Sequence, residues 1–135
     1  MDWKAGVKTR TAKEAKQDLN LIQSTKEIAD IKITSANFLP KELFIGKITL
    51  LYDALREYLE SIALTHGYKI YNHECYTPFL KEVLHLPREA DLFDKLRKVR
   101  NAINYYGRKV SKEEAENILK DLVYLIGIFK KKLKK

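Results

Sequence analysis

Apolar residues recur at three- and four-residue steps along most of the chain, which divides it into four long helical stretches and one short one. The first is expected from about Thr11 to Ser35, where Ala15, Leu19, Ile22, Ala29 and Ile33 draw a modest stripe interrupted by Lys26. Asn37-Phe38-Leu39-Pro40 breaks it, because a proline ring crowds the preceding residue out of the helical region. The second, Lys41 to His66, carries the widest apolar face: Phe44, Ile48, Leu51, Leu55, Leu59 and Ile62, flanked by Leu43, Leu50, Tyr52 and Tyr58. It reads as the central helix, and Gly67 stops it. Tyr68 to Tyr76 is expected to be a loop. Thr77 then reads as an N-cap with Pro78 in the first helical position, opening a short helix to about Leu86 that Pro87 ends, with Pro87 also able to open the next. The third long helix is expected from Arg88 to Arg108. The fourth begins at Ser111, where Ser111 and Glu114 form a capping box. Its apolar face is Ala115, Ile118, Leu119, Leu122, Leu125, Ile126 and Phe129.

These periods predict an all-α fold, an antiparallel up-and-down bundle of four long helices plus one short helix. One domain is expected over residues 1–135, with 1–10 as an N-terminal tail and 130–135 as a basic end. A chain of 135 residues can bury a real core without staples. Only 5 Gly and 3 Pro punctuate it, too few turn signals for an all-β fold. The single cysteine, Cys75, leaves no internal disulfide and no multi-cysteine zinc site, which points to a reducing compartment. No apolar run approaches the ~20 residues needed to span a bilayer, and no secretory signal is expected, so the location expected is cytoplasmic with no membrane partner. The net charge of +8 lies partly in Lys130, Lys131, Lys132, Lys134 and Lys135. Lysines there suit the negative end of a helix dipole, or they form a footprint for a polyanion such as RNA.

The third helix changes the picture. At about 100° per residue, Leu92, Leu96, Val99, Ile103, Tyr106 and Val110 fall in one arc, the expected core stripe. Arg97, Arg100, Asn101, Asn104, Tyr105 and Arg108 fall nearly opposite, all able to hydrogen-bond and none acidic. A solvated helix face mixes signs, because like charges at four-residue spacing repel. Arginine's planar fork suits phosphate, asparagine can bind a base or ribose hydroxyl, and tyrosine can stack on a base. Two readings stand open: contact with an anion or RNA, or pairing of the arginines with acids on a neighbouring helix or subunit.

The stretch Lys95-Leu96-Arg97-Lys98-Val99-Arg100-Asn101-Ala102-Ile103-Asn104-Tyr105-Tyr106-Gly107 resembles the signature helix of the HEPN superfamily, small helical domains in which an arginine, often followed by asparagine, precedes a histidine by four to six residues. Arg100 and Asn101 match the opening. Tyr52 to Glu60, Thr65 to Lys69 and His73-Glu74 resemble the second helix and following loop of archaeal-type members, so the likeness covers about Lys41 to Val110. It implies an HEPN-like bundle, a homodimer with signature helices facing across a cleft, and a minimal nucleotidyltransferase as partner in a toxin–antitoxin-like pair. Active members are metal-independent ribonucleases, so neither metal nor cofactor is expected. Arg97, Arg100, Asn101, Asn104 and Arg108 become the expected RNA- or nucleotide-binding set, with Arg100 and Tyr105 as catalytic candidates. The departure lies at Tyr105, which stands where the histidine belongs. A phenol with an ordinary pKa near ~10 is a poor base at neutral pH. A catalytically weakened or inactive binding module is therefore the first expectation. An active ribonuclease using Arg100 with Tyr105 or another acid/base is the alternative, and a purely structural dimerisation domain the next.

His66, His73 and His85 are the only histidines. His73, Glu74 and Cys75 are adjacent rather than spaced as metal ligands. His73 reads first as a residue tying down its loop and second as a substitute acid/base. Cys75 reads as a small buried hydrophobe.

Overall fold

The computed structural model describes residues 2–8, 12–16 and 18–134. Helix α3 (Phe44–Thr65) is the centre of the molecule. Its face from Ile48 through Leu51, Leu55, Leu59 and Ile62 is buried as the period requires, and Tyr52 and Tyr58 are buried with it. Helices α2 (Leu19–Phe38) and α6 (Lys112–Leu133) make the largest contacts with α3, and α5 (Pro87–Tyr106) closes against α3 and α6. Cross-links show α2 running antiparallel to α3: Ser61 Oγ donates to the Ile22 carbonyl, Tyr58 to Asp30, Lys32 to Glu57, and Lys47 Nζ to the Ala36 carbonyl. Burial plus the carboxylate of Asp30 pushes the Tyr58 phenol well above its ordinary range, so it stays a donor.

The amino-terminal expectation holds from Leu19 to Ser35 and fails ahead of it. The helix expected from Thr11 begins at Leu19, where the Asp18 carboxylate accepts the Leu21 N–H at 3.0 Å. Ahead of it, Ala12–Glu14 form strand β1, which pairs antiparallel with β2 (Tyr68–Ile70), a segment expected to be loop. Strands of three residues are too short to show a period of two, and only the fully buried Ala12 against Ile70 explains them. Helix α1 (Trp3–Lys8) occupies the expected tail, with Trp3 set edge-on to Tyr68 at 5.0 Å and near Phe79 at 5.4 Å. Met1, Thr9, Arg10, Thr11 and Gln17 of these expectations, and Lys135 of the basic end, lie outside the described residues.

The short helix also differs. His73–Cys75 form a 3-10 turn, Tyr76–Pro78 one α-helical turn (α4), and Phe79–Val83 a π turn. The cap is Asn72, whose side chain accepts the Glu74 N–H at 2.9 Å, and Thr77 instead donates to Asp94 at 3.2 Å. Pro87 opens α5, the second of the two roles expected of it.

Helix α5 stops at Tyr106, short of Arg108, because Gly107 adopts φ 63° and the Arg108 N–H turns back to the Ala102 carbonyl at 3.0 Å. A Cβ on Gly107 would meet nothing within 4 Å, so backbone strain is the only penalty there. Gly107→Ala is expected to cost about 1 kcal/mol, read as a lower urea midpoint. An unchanged midpoint would mean that this turn contributes nothing to stability.

Candidate functional site

An open cleft of about 720 Å³ lies where α3, the turn after β2 and the carboxyl-terminal half of α5 meet. Asp53 and Arg56 come from α3, three residues apart and so on one face. Arg97, Arg100, Asn101 and Tyr105 come from α5 at helical spacing, and the loop supplies Tyr71, Asn72, His73 and Glu74. The loop is held from below. Cys75 and Tyr76 are buried at 0% and 1%, and the Tyr76 ring packs against Phe93 at 6.0 Å. With Cys75 and Tyr76 anchored and Asn72 capping the turn, His73 is carried to the cleft wall.

Four of the six polar residues expected on the third helix therefore share one cleft. The other two do not join them. Asn104 is exposed outside it, and Arg108 lies beyond the helix end in an ion pair with Glu114 of α6. That pair takes the carboxylate expected to complete the capping box, while the Ser111 hydroxyl still accepts the Glu114 N–H at 3.1 Å. The expected core stripe holds except at Tyr106: Leu96 is buried, and Leu92, Val99, Ile103 and Val110 pack against the core. Ala90 and Phe93 are buried as well, whereas Tyr106, expected inside, is 84% exposed, because this last turn of α5 outruns the core.

The polar arc is not free of acid. Asp94, one turn before Arg97, accepts from Arg97 Nη2 at 2.9 Å and is paired with Lys98 at 3.0 Å. Burial works against the charged carboxylate, but the hydrogen bonds and charges of Lys98 and Arg97 prevail and hold its pKa below the ordinary value. A depressed carboxylate contributes stability above its unfolded pKa, and that stability is lost as pH falls through the folded pKa. Urea midpoints of the wild type are thus expected to drop below pH ~4 more steeply than those of Asp94→Asn. Parallel pH curves for the two would rule out this contribution.

Arg100 is held differently. Its side chain is only 18% exposed, yet its nearest acid, Asp53, is 3.5 Å from Nη2, and Asn101 is 3.4 Å from Nη1. Its Nε is buried with no hydrogen-bond partner among the described residues. The guanidinium carbon sits 5.2 Å from the Tyr52 ring centroid and 5.8 Å from that of Tyr105, within cation–π range of both. Asp53 is shared with Lys32 of α2 at 4.0 Å. Burial pushes the Tyr52 phenol up to about 12 despite the arginines nearby, so it remains protonated beneath the cleft.

Three arginines and two carboxylates line the cleft, so its balance is cationic. His73 is half-buried, and burial first, then the charges of Arg56 and Arg100, push its imidazole down to about 4, against the opposing pull of Glu60 and Asp53. It is neutral at pH 7. Sequence alone offers His73 as an acid/base only in second place and does not single out Asp53 or Arg56. The signal for Arg56 was present: it lies on the stretch Tyr52 to Glu60 that carried the resemblance. Among the described residues, no group of three His, Cys, Asp or Glu side chains could hold a metal ion, and no helix is long and apolar enough to cross a membrane. Compared with protein-family models, with curated proteins and with solved structures, the chain finds no match.

Proposed function

We propose that this chain is an HEPN-type module whose cleft binds a phosphodiester of RNA or of a nucleotide. The observation that carries the reading is the state of Arg100. A guanidinium so largely withdrawn from water normally meets an acid at close range. Here it has two contacts at the limit of hydrogen bonding and an orphaned Nε. A phosphate entering from the open side supplies the short, charge-assisted partner that Asp53 does not. Arg56 and Arg97 stand on the same wall to share the charge. Asn101 can reach a ribose hydroxyl, and the exposed ring of Tyr105 can stack on a base.

The same reading includes self-association or a nucleotidyltransferase partner. Tyr105 and Tyr106 are 67% and 84% exposed beside the cleft, and large aromatic rings left in solvent suit an interface. A salt titration of binding to single-stranded RNA tests the core of the proposal. Affinity should fall steeply and linearly in log–log form as salt rises. Affinity too weak to detect at low salt would leave the structural dimerisation reading, in which native mass measurement still finds a dimer.

A further inference from the structure

We infer that His73 supplies this cleft with the proton acceptor that helix α5 lacks, so that the chain cleaves RNA with an imidazole delivered by the loop after β2. This rests on the phosphodiester-binding reading above. The placement is the reason. Tyr105 is the α5 residue with an ionisable hydroxyl that lines the cleft, and no histidine lies on α5. His73 comes from a segment far away in sequence, yet lines the same wall as Arg56, Arg97 and Arg100. Its side chain has no hydrogen-bond partner among the described residues, and its nearest ring neighbour is Tyr76 at 6.0 Å. An imidazole that served only to tie down the loop would be bonded to it. The loop is tied down instead by Asn72 and by burial of Cys75 and Tyr76. The ring is thus left open to substrate.

The step balances without a metal or a redox partner. Neutral His73 takes the proton of the ribose hydroxyl next to the bound phosphate as that oxygen forms a bond to phosphorus. The bond from phosphorus to the next nucleotide's oxygen breaks, and the departing oxygen takes a proton from the Tyr105 phenol, which recovers one from solvent. Arg97 and Arg100 hold the charge that grows on the non-bridging oxygens. The products are a cyclic phosphate end and a free hydroxyl end. The groups that set the protonation of His73 are Arg56, Glu60 and Asp53 of α3 and Arg100 of α5, with Tyr76 packed beside the ring.

The test uses a labelled single-stranded RNA and an all-DNA oligomer of the same sequence. The wild type should bind both, and cleave only the RNA, in the presence of chelator, leaving cyclic phosphate ends. His73→Gln, checked for helicity by circular dichroism, should bind RNA within about threefold of the wild type but cleave it about 10²- to 10⁴-fold more slowly. The pH profile of the wild type needs no variant. Its kcat/KM should rise through a limb near pH 4, the value to which the unliganded protein lowers His73. Wild-type cleavage by His73→Gln, or binding without any cleavage by the wild type, overturns the role of His73 and leaves phosphodiester binding standing. A wild type that binds no RNA overturns both.

Discussion

Arg100→Ala weakens RNA binding by about 10- to 100-fold at low salt, the worth of one charge-assisted contact of about 1.5–3 kcal/mol. The protein stays folded, because the carboxylate that the guanidinium leaves behind, Asp53, keeps Lys32 as a neighbour. The slope of log affinity against log salt becomes shallower by about one unit, since one fewer phosphate is neutralised. Arg100→Lys recovers part of the charge but not the fork, so it restores the slope better than the affinity. Fluorescence anisotropy across a salt series measures both quantities together. The same affinity in wild type and Arg100→Ala would show that RNA, if bound, lies elsewhere, with the lysines of the carboxyl-terminal end the next surface to test. A loss of folding in Arg100→Ala would instead mark Arg100 as part of the Lys32–Asp53 charge network first and a ligand-binding group second.

The largest effect on stability is expected at Phe93. Its ring is fully buried on α5, stacked with Tyr52 of α3 at 6.0 Å and set edge-on to Tyr76 of the loop turn at 6.0 Å. Phe93→Ala removes the contact common to the three segments that build the cleft, and leaves a cavity that they cannot close together. The expected cost is about 3–5 kcal/mol, against a total stability of about 5–15 kcal/mol for an ordinary domain. Urea denaturation followed by circular dichroism reads this as a large fall in midpoint. A loss below about 1 kcal/mol would mean that the site can collapse around the missing ring, and that the loop does not depend on this packing. Because Tyr52 lies under Arg100, the folded fraction of Phe93→Ala should also bind RNA more weakly than the wild type.

Helices α3 and α6 were readable from one dimension because their burial is periodic and their ends are chemically marked. Leu55 and Leu59, Leu122 and Leu125, Gly67 and the Ser111 cap all stand where spacing and local chemistry put them. The arginine-rich face of α5 was readable for the same reason, since a helix alone decides which of its side chains share a side. What spacing cannot carry is the identity of the neighbour across that face. Asp94, three residues before Arg97 on the same helix, lay within the reach of spacing, whereas Glu114 takes Arg108 from another helix and Asp53 falls short of Arg100 by a matter of packing. The core side of α5 depended on where α3 ends its contact, so Phe93 went inside and Tyr106 went out.

Sequence alone determined the helical class, the central helix and the concentration of cationic and amide groups on one helix, because each follows from local periodicity and local capping. Tertiary structure alone decided that β1 pairs with β2, that Trp3 closes over Tyr68 and Phe79, and that His73 lines the same cleft as Arg100. Those are meetings of segments distant along the chain, settled by which surfaces bury together, and no window of neighbouring residues encodes them.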